Sequence, residues 1–163
     1  ADIKVAMITG DHPLTANVLA KELGIVRGRH DLAEQAGACD EPVTGVELKR
    51  AATAGKAVFD ELVTDTCVFA RVEPHQKMQI VESLIDNGEF VAVTGDGVND
   101  APALKHAHVG ISMGKRGSDV ARENSDLILT DDNFSSIVQG IKQGRIVYNN
   151  IRVFRKYRLT DET

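Results

Sequence analysis

Two aspartates and an asparagine lie within the segment Thr-Gly-Asp-Gly-Val-Asn-Asp that begins at residue 94. The carboxylates of Asp96 and Asp100 suit Mg²⁺, which proteins usually hold through one or two carboxylates together with substrate phosphate and water. Asn99 adds an amide contact without further charge, and Gly95 and Gly97 favour a tight turn because glycine takes backbone angles that other residues avoid. A helix cap with an Asp-Gly turn is the alternative, and it accounts for only part of the segment. The segment therefore predicts a Mg²⁺ and phosphate site.

A second polar cluster, Thr9, Gly10 and Asp11, comes just before Pro13. A hydroxyl, a flexible glycine amide and the free N–H groups of a helix start are what a phosphate oxygen requires. An ordinary helix cap by Asp11, with Pro13 in the first turn, is the alternative.

The third cluster reads Arg-Val-Glu-Pro-His-Gln-Lys from Arg71 to Lys77. Pro74 is expected to open a helix, which places Lys77 in its first turn. Helical side chains tilt toward the N-terminus, so the Lys77 ammonium would reach back over the preceding strand toward a phosphate. A solvated lysine on a helix face is the alternative.

Short apolar runs alternate with helical stretches along the chain. The runs predict strands at residues 3–8, 67–71, 90–94, 108–112 and 127–129. Helices are predicted at residues 13–23, 45–54, 75–87, 101–107, 118–123 and 134 to about 157, with a loop or surface insertion at 26–44. This order predicts an α/β fold with an open, doubly wound parallel sheet, and the near-continuous apolar strands predict cover on both faces. Because ligands bind at the carboxyl ends of such strands, the three clusters are expected on one rim.

Composition narrows the function classes. The 163 residues make about one domain, with a net charge of −5, 4% aromatic residues and no Trp. Such a surface has neither the basic footprint nor the stacking platform of a nucleic-acid-binding protein. No apolar run approaches the roughly 18 residues that span a bilayer, so the chain is expected to be soluble.

The motifs resemble those of P-type ATPases, the ion pumps that form an aspartyl-phosphate. The strongest match is Thr-Gly-Asp-Gly-Val-Asn-Asp-Ala-Pro-Ala-Leu-Lys at residues 94–105, which resembles the hinge signature of these pumps. Further motifs of the same phosphorylation domain are similar to residues 7–11, 69–74 with Lys77, 109–114 and 126–134. Residues 131–134 look most like type II pumps, especially Ca²⁺-transporting ones.

The resemblance implies a haloacid-dehalogenase-like Rossmann fold, Mg²⁺ as cofactor and ATP as the substrate of the intact pump. It also implies roles for the residues of the three clusters. For phosphoryl binding and catalysis these are Lys77, Thr9, Gly10, Asp96 and Asn99, for cofactor contacts Asp11, Arg71 and Gly97, and for the metal Asp96 as direct ligand with Asp100.

One part of the family pattern is missing. The nucleophile of these pumps lies in an Asp-Lys-Thr-Gly-Thr segment, which the sequence does not contain. The chain is therefore expected to be inactive alone, as part of an ATP-driven cation pump at the cytoplasmic face of a membrane. Its implied partners are the nucleotide-binding, actuator and transmembrane domains. A free-standing phosphatase of the same superfamily and a non-catalytic Mg²⁺/phosphate-binding module are the alternatives.

The predicted division is a partial phosphorylation domain at residues 1–150, with a variable region at 26–66, and a stalk-like helical tail at 151–163. The missing nucleophile strand would lie between the strands at 3–8 and 90–94. Its absence predicts two unpaired apolar edges, which favour self-association, complementation by another chain, or direct pairing of the two edges.

Overall fold

The computed structural model describes residues 3–26 and 41–160, in which strands and helices alternate. The strands are β1 (Met7–Ile8), β2 (Val43–Thr44), β3 (Val68–Ala70), β4 (Ala92–Gly95), β5 (Val109–Met113) and β6 (Leu127–Leu129). The helices are α1 (Pro13–Glu22), α2 (Gly45–Ala54), α3 (Lys56–Asp65), α4 (Pro74–Asp86), α5 (Ala101–His106), α6 (Asp119–Glu123) and α7 (Ser135–Thr160), with a 3₁₀ helix at Val98–Asp100. None of these described helices has the length and apolarity needed to span a membrane.

The predicted α/β class with parallel strands is confirmed. The strands form two three-stranded halves, in the orders β1-β3-β2 and β4-β5-β6, and every pair is parallel. Strand β3 is the centre of the first half and is buried throughout, with Phe69 at the middle of its core. Strand β5 is the centre of the second half and is buried from its second residue onward.

The two halves are not hydrogen-bonded to each other along β1 and β4, so the predicted direct pairing of these edges is wrong for the described residues. Ile3 and Phe90, which precede β1 and β4, line the same cavity of about 1200 Å³ together with α7. Strand β4 is exposed at Ala92 and Thr94, which contradicts its predicted burial. Side chains alternate between the two faces of a strand, so Ala92 and Thr94 share one face, and in the described residues that face lacks the cover that the apolar composition predicts.

Most predicted elements agree with the structure within a few residues, and α2 and β6 agree in full. Strand β1 is much shorter than predicted, and β2 and α3 were not predicted. The predicted loop at 26–44 lies outside the described residues from 27 to 40, and its last two residues form β2. The bounds of the predicted variable region and tail stay predictions, although the division at residue 150 falls inside α7.

A tight contact fixes the start of α2 against the segment after β3. Gly45 is buried, and its carbonyl accepts a 2.7 Å hydrogen bond from the buried Gln76 amide. A Cβ atom at Gly45 would lie 2.4 Å from the carbonyl oxygen of Arg71 and 2.7 Å from Oε1 of Gln76. The position therefore requires glycine for close backbone approach.

We predict that Gly45→Ala lowers the free energy of unfolding by about 1–3 kcal/mol, because an inserted methyl group forces the packed backbone apart. Gly140→Ala is the matched control, since nothing lies within 4 Å of its Cβ position on α7. Alanine there should stabilise the helix by up to about 1 kcal/mol. Urea denaturation of both variants measures the difference, and equal effects would contradict the packing argument.

A capping box at the start of α2 predicts an acid-sensitive stability. The Glu47 carboxylate accepts hydrogen bonds from the Thr44 hydroxyl (2.6 Å) and backbone N–H (2.7 Å), and these bonds lower the pKa of Glu47. A lowered folded-state pKa stabilises the protein above about pH 4.3, and this contribution is lost as the pH falls through the folded value.

Thr44→Ala should lower the free energy of unfolding by about 1 kcal/mol at pH 7, because it removes the capping hydroxyl.

Urea denaturation of wild type and Glu47→Gln between pH 7 and pH 3 tests the acid dependence. The variant should be less stable at pH 7 and lose less stability on acidification. Glu22→Gln on α1 is the control, since Glu22 has no hydrogen-bond or ion-pair partner in the described ranges. A Glu47→Gln curve parallel to that of wild type would contradict the role of the box.

Candidate phosphate and metal site

In the loop after β1, the polar groups of Thr9 and Asp11 form hydrogen bonds with each other. The Thr9 hydroxyl donates to Oδ2 of Asp11 (3.0 Å) and accepts from the Asp11 N–H (3.1 Å). The cap of α1 is His12, whose Nδ1 accepts from the Leu14 N–H, so the alternative that Asp11 caps this helix is wrong. Gly10 is exposed, and a Cβ atom at this position would meet no atom within 4 Å.

Two backbone hydrogen bonds join this loop to the segment after β3. The Arg71 N–H donates to the Asp11 carbonyl (3.0 Å), and the Val72 N–H donates to the Thr9 carbonyl (3.1 Å). Arg71 has a φ of 53°, a left-handed conformation that is uncommon for a residue other than glycine. Its side chain is exposed on the rim. The cluster Thr9–Asp11 and the cluster Arg71–Lys77 therefore lie side by side.

An ion pair joins the cluster Arg71–Lys77 to the segment 94–100. Lys77 lies in the first turn of α4, as predicted, and its Nζ donates to Oδ1 of Asp100 at 2.6 Å. The two side chains are only 19% and 16% exposed, so the alternative of a solvated lysine is wrong. A charge-assisted bond in a partly buried place is stronger than a surface pair, because water screens it less.

The turn from Gly95 to Asp100 was predicted to need glycine for its backbone angles, but the structure shows that it needs glycine for close packing. Oδ2 of Asp100 accepts from the Gly97 N–H at 3.2 Å, so the carboxylate reaches back across the turn. A Cβ atom at Gly95 would lie 2.5 Å from Cβ of Asp100. Neither Gly95 nor Gly97 has a positive φ, and Gly97 is extended. Glycine is required at residue 95 by space and not by backbone angle.

Asp96 and Asn99 are exposed at the carboxyl end of β4. Among the described residues the Asp96 carboxylate has no hydrogen-bond or ion-pair partner, which leaves its oxygens free for a ligand. Its backbone is held, since the Ser118 N–H donates to the Asp96 carbonyl at 2.8 Å. Ser118 was not predicted as part of the site, because it lies in a different loop, which only the fold brings next to the carboxyl end of β4.

The oxygen donors present fit a Mg²⁺ ion that also binds substrate. The described part of the chain holds no group of three or more His, Cys, Asp or Glu residues placed for a metal. Mg²⁺ needs only one or two protein carboxylates, with phosphate and water completing its six positions. Asp96 is available for this, whereas Asp100 already holds Lys77 and the turn.

The chain matches a family model described as haloacid dehalogenase-like hydrolase over residues 1–108. It is 52% identical over 152 residues to the cation-transporting ATPase pma1 of Synechocystis sp., covering 93% of the chain and 16% of that protein. The sodium/potassium-transporting ATPase subunit alpha-A of Artemia franciscana is 43% identical over 99% of the chain and 18% of its own length. The potassium-transporting ATPase alpha chain 2 of Rattus norvegicus is 44% identical over 98% of the chain and 17% of its own length. The chain thus spans less than a fifth of each relative.

We predict that Lys77→Met lowers the free energy of unfolding by about 1–3 kcal/mol, because it leaves the Asp100 carboxylate largely buried without its cation. Lys56→Met is the matched control on the same half of the molecule. The Lys56–Asp86 pair is exposed, with 70% and 45% of its side chains accessible, so its loss should change stability little. Chemical denaturation compares the two, and similar losses would contradict a special role for the Lys77–Asp100 pair.

Proposed function

Because the chain belongs to the haloacid dehalogenase-like hydrolase family, we propose that it is part of the phosphorylation domain of an ATP-driven cation pump. The observation that carries the proposal is the assembly of the three motif clusters on one rim. Lys77 and Asp100 form an ion pair there, and the exposed carboxylate of Asp96 has no hydrogen-bond or ion-pair partner among the described residues. The identity to cation-transporting ATPases over nearly the whole chain supports it.

Each residue of the rim then has a chemical task. Asp96 is the direct Mg²⁺ ligand, and Asp100 serves the same site by fixing Lys77 and the turn. Lys77 sets its ammonium against the phosphoryl group, Thr9 and Gly10 bind phosphoryl oxygens, and Asn99 supports the phosphate. Asp11, Arg71 and Gly97 contact the nucleotide side. Mg²⁺ bound here would supply positive charge to the transferring phosphoryl oxygens.

Under this proposal the acceptor of the phosphoryl group lies outside residues 1–163. Covalent phosphoryl transfer requires a carboxylate in line with the phosphate, and the Asp-Lys-Thr-Gly-Thr segment of these pumps does not occur in residues 1–163. We propose that the strand that carries it lies between β1 and β4, where neither edge is paired with a strand of the described residues and Phe90 is 75% exposed. Supplied by the rest of the pump, this strand would complete a seven-stranded sheet.

The proposal extends to the surroundings of the chain. Its partners are the nucleotide-binding, actuator and transmembrane domains of the pump, and its place is the cytoplasmic face of a membrane. Residues 1–150 form the partial phosphorylation domain, with 26–66 as its variable region, and 151–163 continue as a stalk-like tail. Without the missing strand, the free edges of β1 and β4 favour self-association. We propose a type II pump, and Ca²⁺ transport stays a prediction beside the sodium/potassium- and potassium-transporting relatives.

A chimeric pump tests the proposal. The chain replaces the matching segment of the Synechocystis relative, and membranes are incubated with radiolabelled ATP and MgCl₂. We expect an acid-stable, hydroxylamine-sensitive phosphoenzyme. Asp96→Asn should reduce its rate of formation by at least about 100-fold, because a charge that stabilises the transition state is lost. Asp86→Asn, on the exposed face of α4, is the control and should leave it unchanged.

The isolated chain separates the alternatives. Incubated with p-nitrophenyl phosphate and MgCl₂, it should show no turnover, since it has no acceptor carboxylate after a buried strand. Turnover abolished by Asp96→Ala would favour a free-standing phosphatase. A chimera that folds and inserts but forms no phosphoenzyme would favour a non-catalytic Mg²⁺/phosphate-binding module.

A further inference from the structure

The loop between β5 and α6, residues 114–118, is held by a carboxylate from outside it. Oδ1 of Asp132 accepts from the Lys115 N–H and Oδ2 from the Arg116 N–H, both at 2.9 Å. These bonds lower the pKa of Asp132, with the Lys115 N–H as the main cause. Asp132 has a φ of 54°, a conformation that Asp tolerates better than most residues. Its side chain is only 10% exposed, so it is packed against the loop.

A guanidinium holds the same loop through its carbonyls. Nη1 of Arg122 on α6 donates to the carbonyl of Gly114 at 2.9 Å and to that of Gly117 at 2.6 Å. Its other terminal nitrogen is paired with Asp119. A Cβ atom at Gly117 would lie 2.0 Å from the Met113 carbonyl oxygen, so the loop folds back closely on β5. The two charged side chains leave the loop little freedom.

The last residue of this loop reaches the candidate metal ligand. The Ser118 N–H donates to the Asp96 carbonyl at 2.8 Å. On the other side, Gly95 is paired in register with Ser112 of β5. The backbone of Asp96 is therefore fixed both before and after its Cα atom, while its carboxylate stays free. Restraint of this kind sets the direction of the side chain without occupying its oxygens.

We propose that Asp132 and Arg122 are positioning residues for Asp96, holding the 114–118 loop in the conformation in which Ser118 restrains the Asp96 backbone. The inference rests on the proposed function for the identity of the ligand, Mg²⁺. Groups that orient a metal ligand from outside its first shell commonly change metal affinity by about 10-fold or more when they are removed.

Asp132→Asn tests the proposal, with Asp131→Asn as its matched control. Asp131 bonds the Asn133 N–H and the Ser136 hydroxyl and makes no hydrogen bond to the loop. In amide NMR spectra of the whole chain, Asp132→Asn should shift the Asp96 and Gly97 resonances and speed their hydrogen exchange. A MgCl₂ titration should show about 10-fold weaker binding. The control should do neither, with thermal unfolding followed for both variants.

A second pair of variants addresses the last link directly. Ser118→Pro removes the N–H that bonds Asp96, and the φ of −66° at residue 118 suits proline. Ser118→Ala keeps that N–H and removes only the hydroxyl that caps α6. The proline variant should move the Asp96 and Gly97 amides as Asp132→Asn does, and the alanine variant should not.

The outcomes distinguish failure of the positioning role from failure of the proposed Mg²⁺ site. Unchanged Asp96 and Gly97 amides in folded Asp132→Asn would overturn the positioning role of Asp132. Unchanged amides in Ser118→Pro would overturn the restraint by Ser118 on which the whole proposal depends, whether or not Asp132→Asn folds. If these amides move while wild-type Asp96 shows no response to MgCl₂, the positioning role stands and the proposed Mg²⁺ site fails.

Discussion

The ion pair between Lys77 and Asp100 is the interaction on which the arrangement of the site depends. Lys77 follows β3, the centre of the first half of the sheet, and Asp100 follows β4, the exposed edge of the second half. Since β1 and β4 are not paired, no strand ladder fixes the two rims relative to each other in the described residues. Helix α4 packs against α5, and a 2.6 Å charge-assisted bond, with both side chains mostly shielded from water, joins the two halves at the point where phosphate is expected.

Local sequence predicted the elements that carry their own signals. Pro13 and Pro74 open α1 and α4, and the buried apolar runs became β3 and β5. Strand β2 was not predicted because it is two residues long and exists through its pairing with β3. Helix α3 begins directly after Gly55 without a side-chain cap, so the sequence gives no start signal there. The exposure of β4 was not predictable from composition, because burial of a face depends on what packs against it and not on the strand itself.

The candidate site also has features that the sequence predicted and features that it did not. Residue types and their positions after strands predicted the meeting of Lys77 with the Asp96–Asp100 segment, since carboxyl ends of parallel strands share one edge. The roles within the segment were not predictable. Gly95 is required because the Asp100 side chain packs against it, which depends on how that carboxylate folds back to the Gly97 N–H. The support from Ser118 and Asp132 spans 36 positions of sequence, counted from residue 96 to residue 132, and only the three-dimensional fold brings it together.

These features divide the chemistry in a physically sensible way under the proposed function. Under that proposal the chain would fix Mg²⁺, the phosphate contacts and their geometry in advance, and charges arranged before the reaction stabilise a transition state most effectively. The acceptor carboxylate would come from a strand outside residues 1–163, which we have proposed to lie between β1 and β4. Seating that strand would repair the sheet and bring a third carboxylate beside Asp96 and Asp100. Like charges so close repel one another, and bound Mg²⁺ together with Lys77 would offset this repulsion. Completion of the fold and binding of the metal are therefore expected to favour each other.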